Sequence, residues 1–252
     1  MVRGGGNLRS LVKPKQEDAR AVTWRAVFAF ILVVMIAASI GMAVAAVERS
    51  PGWALHAGAT NILRETWLAL ALYAGLIVLV VANRGEEWER ELQNAAIFGT
   101  IAGLIEIANI ALENSRSAEA SISAAQIGAM LLVFAMWGLA AGRTARDLRH
   151  FGPGLIAAVM SACVCMVIAV TAGFALQLFI APPSPSYIET WPEFQQSAWL
   201  DARAFGIGNT LESGFTHLWM GPVIAMVVGA VGAGIGTGIG KREQNREPRL
   251  GA

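Results

Sequence analysis

The sequence predicts an all-α fold, a polytopic transmembrane helical bundle of about six spans, and three observations predict it. Hydrophobic residues make up 55% of the 252 positions and charged residues only 15%, where a soluble domain carries about a quarter charged. The apolar residues come in uninterrupted blocks close to the roughly 20 residues needed to cross a bilayer, not in the short alternating runs of half-buried strands. Lys and Arg, finally, alternate between dense and sparse from one connection to the next.

The first block, 26–47, holds no charge. Basic residues precede it and Ala43-Val44-Ala45 matches a signal-peptidase site. A polar leader of 25 residues and an apolar run longer than a signal core favour a retained span. The second block centres on the stretch from Trp67 to Ala82, and reaches spanning length as 62–82. The third, 95–112, carries a carboxylate well inside it, Glu106. The fourth is 122–142, the fifth 155–180 and the sixth 219–240.

Orientation follows from the positive charges. All but four of the 19 Lys and Arg lie before the first block, in the second and fourth connections, or after the sixth; the exceptions are Arg49, Arg64, Arg116 and Arg203. Both termini are therefore expected in the cytoplasm, as in a multi-pass protein of a bacterial inner membrane. The leader 1–25, with Gly4-Gly5-Gly6 and scattered charge, reads as a disordered basic segment, and 241–252 as a basic cytoplasmic tail. The stretch 84–91 (RGEEWERE) reads as a charged helical extension with a solvated face.

The outer loop 181–218 is the longest connection. Pro182-Pro183-Ser184-Pro185 stops the fifth helix. Thr190 and Glu193 form a capping pattern, after which Phe194, Ala198, Ala202 and Phe205 share one helical face. With Tyr187, Trp191 and Trp199 nearby, the pattern predicts an amphipathic helix at the outer membrane interface, broken by Gly206 and Gly208. Asn209 and Glu212 repeat the capping pattern and open a short turn into the last span.

Motifs with a known chemical mechanism are missing from the sequence: it holds no P-loop, G-x-S-x-G, H-E-x-x-H or C-x-x-C. Catalytic residues, a metal site and a cofactor are accordingly not expected. Cys163 and Cys165 point to different faces of one apolar helix and read as packing residues. A net charge of +1 gives no basic surface for nucleic acid.

Three features rise above this background. On a helical wheel Gly99, Gly103, Glu106, Asn109 and Glu113 fall within about 120° of one another, opposite Ile97, Ile101, Leu104 and Ala108. Such a face looks into the bundle, since small residues allow close helix approach and a carboxylate cannot sit in lipid. Gln126, Gln177 and His217 lie at a similar depth, near the outer ends of their spans, and one wet pocket would collect them with Glu106. The last span carries a small-residue stripe, Ala225, Gly229, Gly232, Gly236 and Gly240, with Gly234 and Gly238 on the far side. Over nine residues GAGIGTGIG resembles the glycine helix of the ring-forming proteolipid of rotary ATPases; that family's basic-polar loop and carboxylate-bearing helix are not in this sequence, so the likeness implies close packing alone.

Three functional classes emerge, of which an intramembrane enzyme is the least favoured, since it needs a second catalytic group at matching depth and the sequence offers none. A small transporter or ion-coupled protein would use Glu106 as a proton or cation site, supported by Asn109. A structural or assembly subunit would pack on a partner, a second copy or a membrane complex through the glycine-rich last helix. The lipid bilayer is the partner common to both.

Overall fold

The computed structural model describes residues 23–50, 53, 58–114 and 123–245. Its long helices are α1 (Trp24–Glu48), α2 (Gly58–Ala82), α3 (Glu86–Asn114), α4 (Ala124–Leu148) and α5 (Phe151–Phe174). The last of these continues into a turn of π-helix at Ala175–Ile180. Two single-turn helices come next, α6 (Pro185–Ile188) and α7 (Pro192–Gln195), and then α8 (Ala202–Gln244). No strand occurs among the described residues, and six helices are long and apolar enough to cross a membrane.

Helix α5 is the most buried of the six. Its sequence explains why: Ala157, Ala158, Ser161, Ala162, Cys163 and Cys165 are all small and all buried. A helix that is apolar and small all round accepts neighbours on every side. It contacts α1, α3, α4 and α8, while α2 lies across α1 and α8. Both cysteines are buried and free, in keeping with a packing role.

The small-residue stripes meet other helices of the same chain. A Cβ on Gly99 would lie 2.5 Å from the Ser161 carbonyl oxygen, and one on Gly103 would lie 3.0 Å from Ile168 Cβ, so this face of α3 seats directly on α5. On α8, Gly232 and Gly236 abut the carbonyls of Gly138 and Gly142, and a Cβ on Gly240 would lie 2.6 Å from the Arg146 carbonyl. Gly229 abuts Ala158 of α5. Gly234 and Gly238 face open space. The Gly138/Gly142 counterpart on α4 is not apparent from the last span alone.

Polar contacts tie the helices at both ends. Arg25 Nε donates to Glu89 at 2.6 Å, joining α1 to α3. Arg146 grips Glu243 through two bonds of 3.1 and 2.6 Å, joining α4 to α8. Trp219 Nε1 donates to Glu65 at 2.9 Å, joining α8 to α2. Between them, the buried Tyr73 hydroxyl reaches the carbonyls of Cys163 and Leu218, at 3.3 and 3.1 Å.

Several expectations are corrected. The amphipathic interfacial helix does not form. Thr190 donates its hydroxyl to the Tyr187 carbonyl at 2.7 Å rather than capping, Pro192 starts the one-turn α7, and Ser197 ends it by donating to the Phe194 carbonyl. The aromatic face turns inward: Trp191, Phe194, Trp199 and Phe205 cluster on Ile188 and Ala202. Packing of these rings on one another removes apolar surface from water.

Nor do Gly206 and Gly208 break a helix. Asp201 caps α8, accepting from the Arg203 and Ala204 amides at 2.8 and 3.1 Å. The helix runs unbroken for 43 residues past both glycines, past Asn209 and Glu212, and past Pro222. A Cβ at 206 would strike Ile188 Cδ1 at 2.6 Å, and one at 208 would meet Trp53 Nε1 at 3.1 Å. These glycines serve close packing.

The charged extension of α3 is helical, but Glu91 on it is only 5% exposed. Its place on the wheel continues the inward face of Glu106 and Asn109, so the helix carries it beneath its neighbours instead of into solvent. Trp24 and Arg25, assigned to the leader, open α1, because Thr23 caps it and Arg25 is held by Glu89. Likewise α8 reaches Gln244, into the stretch read as tail. The rest of the leader and the tail beyond residue 245 lie outside the described residues.

Candidate functional site

The end of the bundle opposite the Arg25–Glu89 and Arg146–Glu243 pairs contains a cavity of about 630 Å³. Its walls come from the last turns of α3, the end of α5 with its π-turn, the start of the loop after it, and the first half of α8. From the residues expected to share a pocket it collects Glu106, Glu113, Gln177 and His217. It does not collect the other two. Gln126 caps its own helix, exchanging bonds with Ser123 as a capping box, and so stays at the start of α4. Asn109 sits behind the wall, where its Nδ2 donates to Glu106 Oε1 at 3.4 Å. Its side-chain carbonyl oxygen is buried without a hydrogen-bond partner among the described residues.

Local sequence explains each position. Glu106 and Glu113 are seven residues apart on α3, two turns along one face. The glycines below them bring that face onto α5. Gln177 lies on the π-turn, where the Ala181 amide bonds the Leu176 carbonyl at 2.8 Å. Such wide turns re-aim side chains and recur at functional sites. Here the turn is closed off by Pro182 and Pro183, which cannot continue the helix. Thr210 donates to Gln177 Oε1 at 3.3 Å, tying the turn to α8. His217 Nδ1 lies 2.6 Å from the Ser213 carbonyl one turn earlier. Phe174, held edge to face by Phe215 at 5.5 Å, lines the apolar side, with Gly214 against Phe174 where no larger residue would fit.

The chain matches no family model, no curated protein and no solved structure.

The lining carries two carboxylates and several neutral hydrogen-bonding groups, and among the described residues neither Lys nor Arg is part of it. Tyr187 and Trp191 stand at its rim. A pocket of this kind favours cations over anions, because the carboxylates attract positive charge and no fixed counter-charge among the described lining residues competes for them. Among the described residues no three His, Cys, Asp or Glu side chains are placed together so that they could hold a metal ion.

Sequence reasoning missed Asn209, Thr210, Ser213 and Tyr187. Three of them lie on the stretch of α8 read as turns. A signal was present: Asn209, Ser213 and His217 recur every four residues, which is one stripe of a continuous helix. Reading Asp201 as the cap would have exposed it.

Proposed function

We propose that this chain is a small ion-coupled membrane transporter that takes a proton or small cation into the cavity at Glu106. The observation that carries the reading is the placement of Glu106 and Glu113 in a polar-walled cavity within a bundle of apolar helices, without Lys or Arg among its described lining residues. An intramembrane carboxylate costs roughly 2.5 kcal/mol or more even on the lenient insertion scale. A chain that keeps one gives it a proton, a cation or water. Glu106 is the binding group, Asn109 orients it through the bond from Nδ2, and Glu113 draws cations toward the mouth. The cytoplasmic placement of both termini, and a bacterial inner membrane, belong to the same proposal and rest on the Lys and Arg distribution.

The test is flux in proteoliposomes. With an imposed pH gradient and a trapped pH-sensitive dye, the wild-type protein accelerates proton equilibration, or does so when a small cation is supplied on the opposite side. Glu106→Gln keeps shape and hydrogen bonding but removes titration, and it abolishes the flux while insertion and folding persist. If Glu106→Gln behaves as wild type and Glu106→Leu only lowers stability, the carboxylate is structural.

The assembly reading has one observation in its favour. Gly234 and Gly238, with exposed Val231 and Ile235, leave a smooth outward face on α8 that a partner helix could cover. The stripe that first suggested a partner, Gly229 to Gly240, is engaged with α4 and α5 of this chain. Co-purification of a fixed partner, lost in Gly234→Leu or Gly238→Leu, would support assembly over transport.

A further inference from the structure

A second concave feature lies between α4 and α8 at the opposite end of the bundle, and it is independent of the transport reading. It is a groove of about 1370 Å³. Its floor is the crossing of Gly138 and Gly142 with Gly232 and Gly236. Glycines there leave a furrow, flanked by Leu131, Leu139, Val231 and Ile235, all half or more exposed.

The groove ends among charged groups. Arg143, Arg146 and Arg149 line that end with Asp147 and Glu243. Arg146 and Glu243 neutralise each other at 2.6 Å. Arg143 and Arg149 have no ion-pair partner among the described residues. Among the described residues, two guanidinium groups without an ion pair thus share this end of the groove with one remaining carboxylate, Asp147.

The backbone supplies a separate observation. Arg149 ends α4 with φ 56° and ψ 24°, the one positive-φ residue other than glycine among the described residues. Glycine is the usual choice at such a helix end, and a side chain there is strained. Strain held at one position is a pointer to function. What the arginine does there is visible: its side chain crosses α8 over Gly240, with Arg149 Cγ 3.3 Å from where a Cβ of residue 240 would be. The helix end and Gly240 together bring the guanidinium to the mouth of the groove.

An apolar furrow of span length with unpaired arginines at one end complements one class of molecule. We propose that the groove binds an anionic phospholipid, one acyl chain lying along the Gly138–Gly142 crossing and the phosphate held by Arg143 and Arg149. Guanidinium forks match phosphate oxygens, and basic sites between transmembrane helices take phospholipid headgroups in this manner. Asp147 disfavours a second negative charge, so a singly charged headgroup fits best.

The experiment uses the purified full chain, delipidated in neutral detergent, with thermal midpoint and native mass spectrometry as readouts. Dioleoyl-phosphatidylglycerol is expected to raise the midpoint and remain bound as a single adduct, whereas dioleoyl-phosphatidylcholine does neither. Arg143→Gln and Arg149→Gly together should weaken phosphatidylglycerol binding at least tenfold. Arg149→Gly is chosen because glycine suits that backbone, so without lipid its midpoint should equal or exceed the wild type. Equal retention of the two lipids, or a double variant that binds phosphatidylglycerol as the wild type does, would overturn the proposal. So would full stabilisation by inorganic phosphate alone, which would remove the acyl chain, or an oxidant-induced disulfide between Leu139→Cys of one copy and Ile235→Cys of another in phosphatidylglycerol nanodiscs, which would make a second chain the occupant.

Discussion

Gly236 of α8 sits directly on the carbonyl of Gly142 of α4, with the oxygen well inside the contact distance of any Cβ at 236. The same relation recurs one turn away at Gly232 and Gly138. Two backbones this close leave no room for a side chain, and the contact is made of dispersion and weak Cα–H···O bonds. Gly236→Leu should therefore cost on the order of 1–3 kcal/mol or more, the range of overpacking in a closed site. Gly238→Leu, where the added carbon meets open space, should be tolerated. Denaturation in mixed micelles compares the two, and equal midpoints would refute the packing assignment.

The start of α8 rests on one side chain. Asp201 accepts from two amides and begins the helical stretch that carries Asn209, Thr210, Ser213 and His217 to the cavity. Asp201→Ala should cost about 0.5–2 kcal/mol, the usual value of a helix cap. Amide exchange should rise first at Arg203 and Ala204. Unchanged exchange there would mean that the aromatic cluster around Phe205 alone holds the helix start.

Glu91 is buried with one carboxylate oxygen unpartnered among the described residues. Nearby on the same helix, Asn94 is satisfied by Thr144 at 2.9 Å across to α4. A charged carboxylate without a partner destabilises a buried site, and removing the charge relieves it. Glu91→Gln should raise the thermal midpoint in micelles. A lowered midpoint would show that the carboxylate has a compensating partner.

Six spans require both termini on one side of the membrane, whatever the direction of insertion. Reporter fusions after Gly85, after Ala145 and at the C-terminus should agree with each other, and by the distribution of Lys and Arg they should report cytoplasm. A fusion at Ser186, beside the cavity, should report the opposite side. A C-terminal signal matching that of Ser186 would remove one span.

The sequence by itself determined that the chain is helical and apolar enough to cross a membrane six times, because the length of an apolar run and the absence of strand alternation are local properties. It also determined that α3 has a polar-small face and α8 a glycine stripe, since a wheel needs only one helix. Which surface each face meets is not local. The α8 stripe could have met a second copy; it meets Gly138 and Gly142, because the two glycine pairs are four residues apart on each helix and can interlock at one crossing. Phe194 and Phe205 fit an amphipathic helix by spacing, yet Ile188 and Trp199 offered them a dry pocket instead. Gly206 and Gly208 carry a helix-breaking preference of about 1 kcal/mol each, which the tertiary structure offsets by pressing Ile188 and Trp53 against them. The cavity arose from that reversal: only a continuous α8 sets Asn209, Ser213 and His217 opposite Glu106.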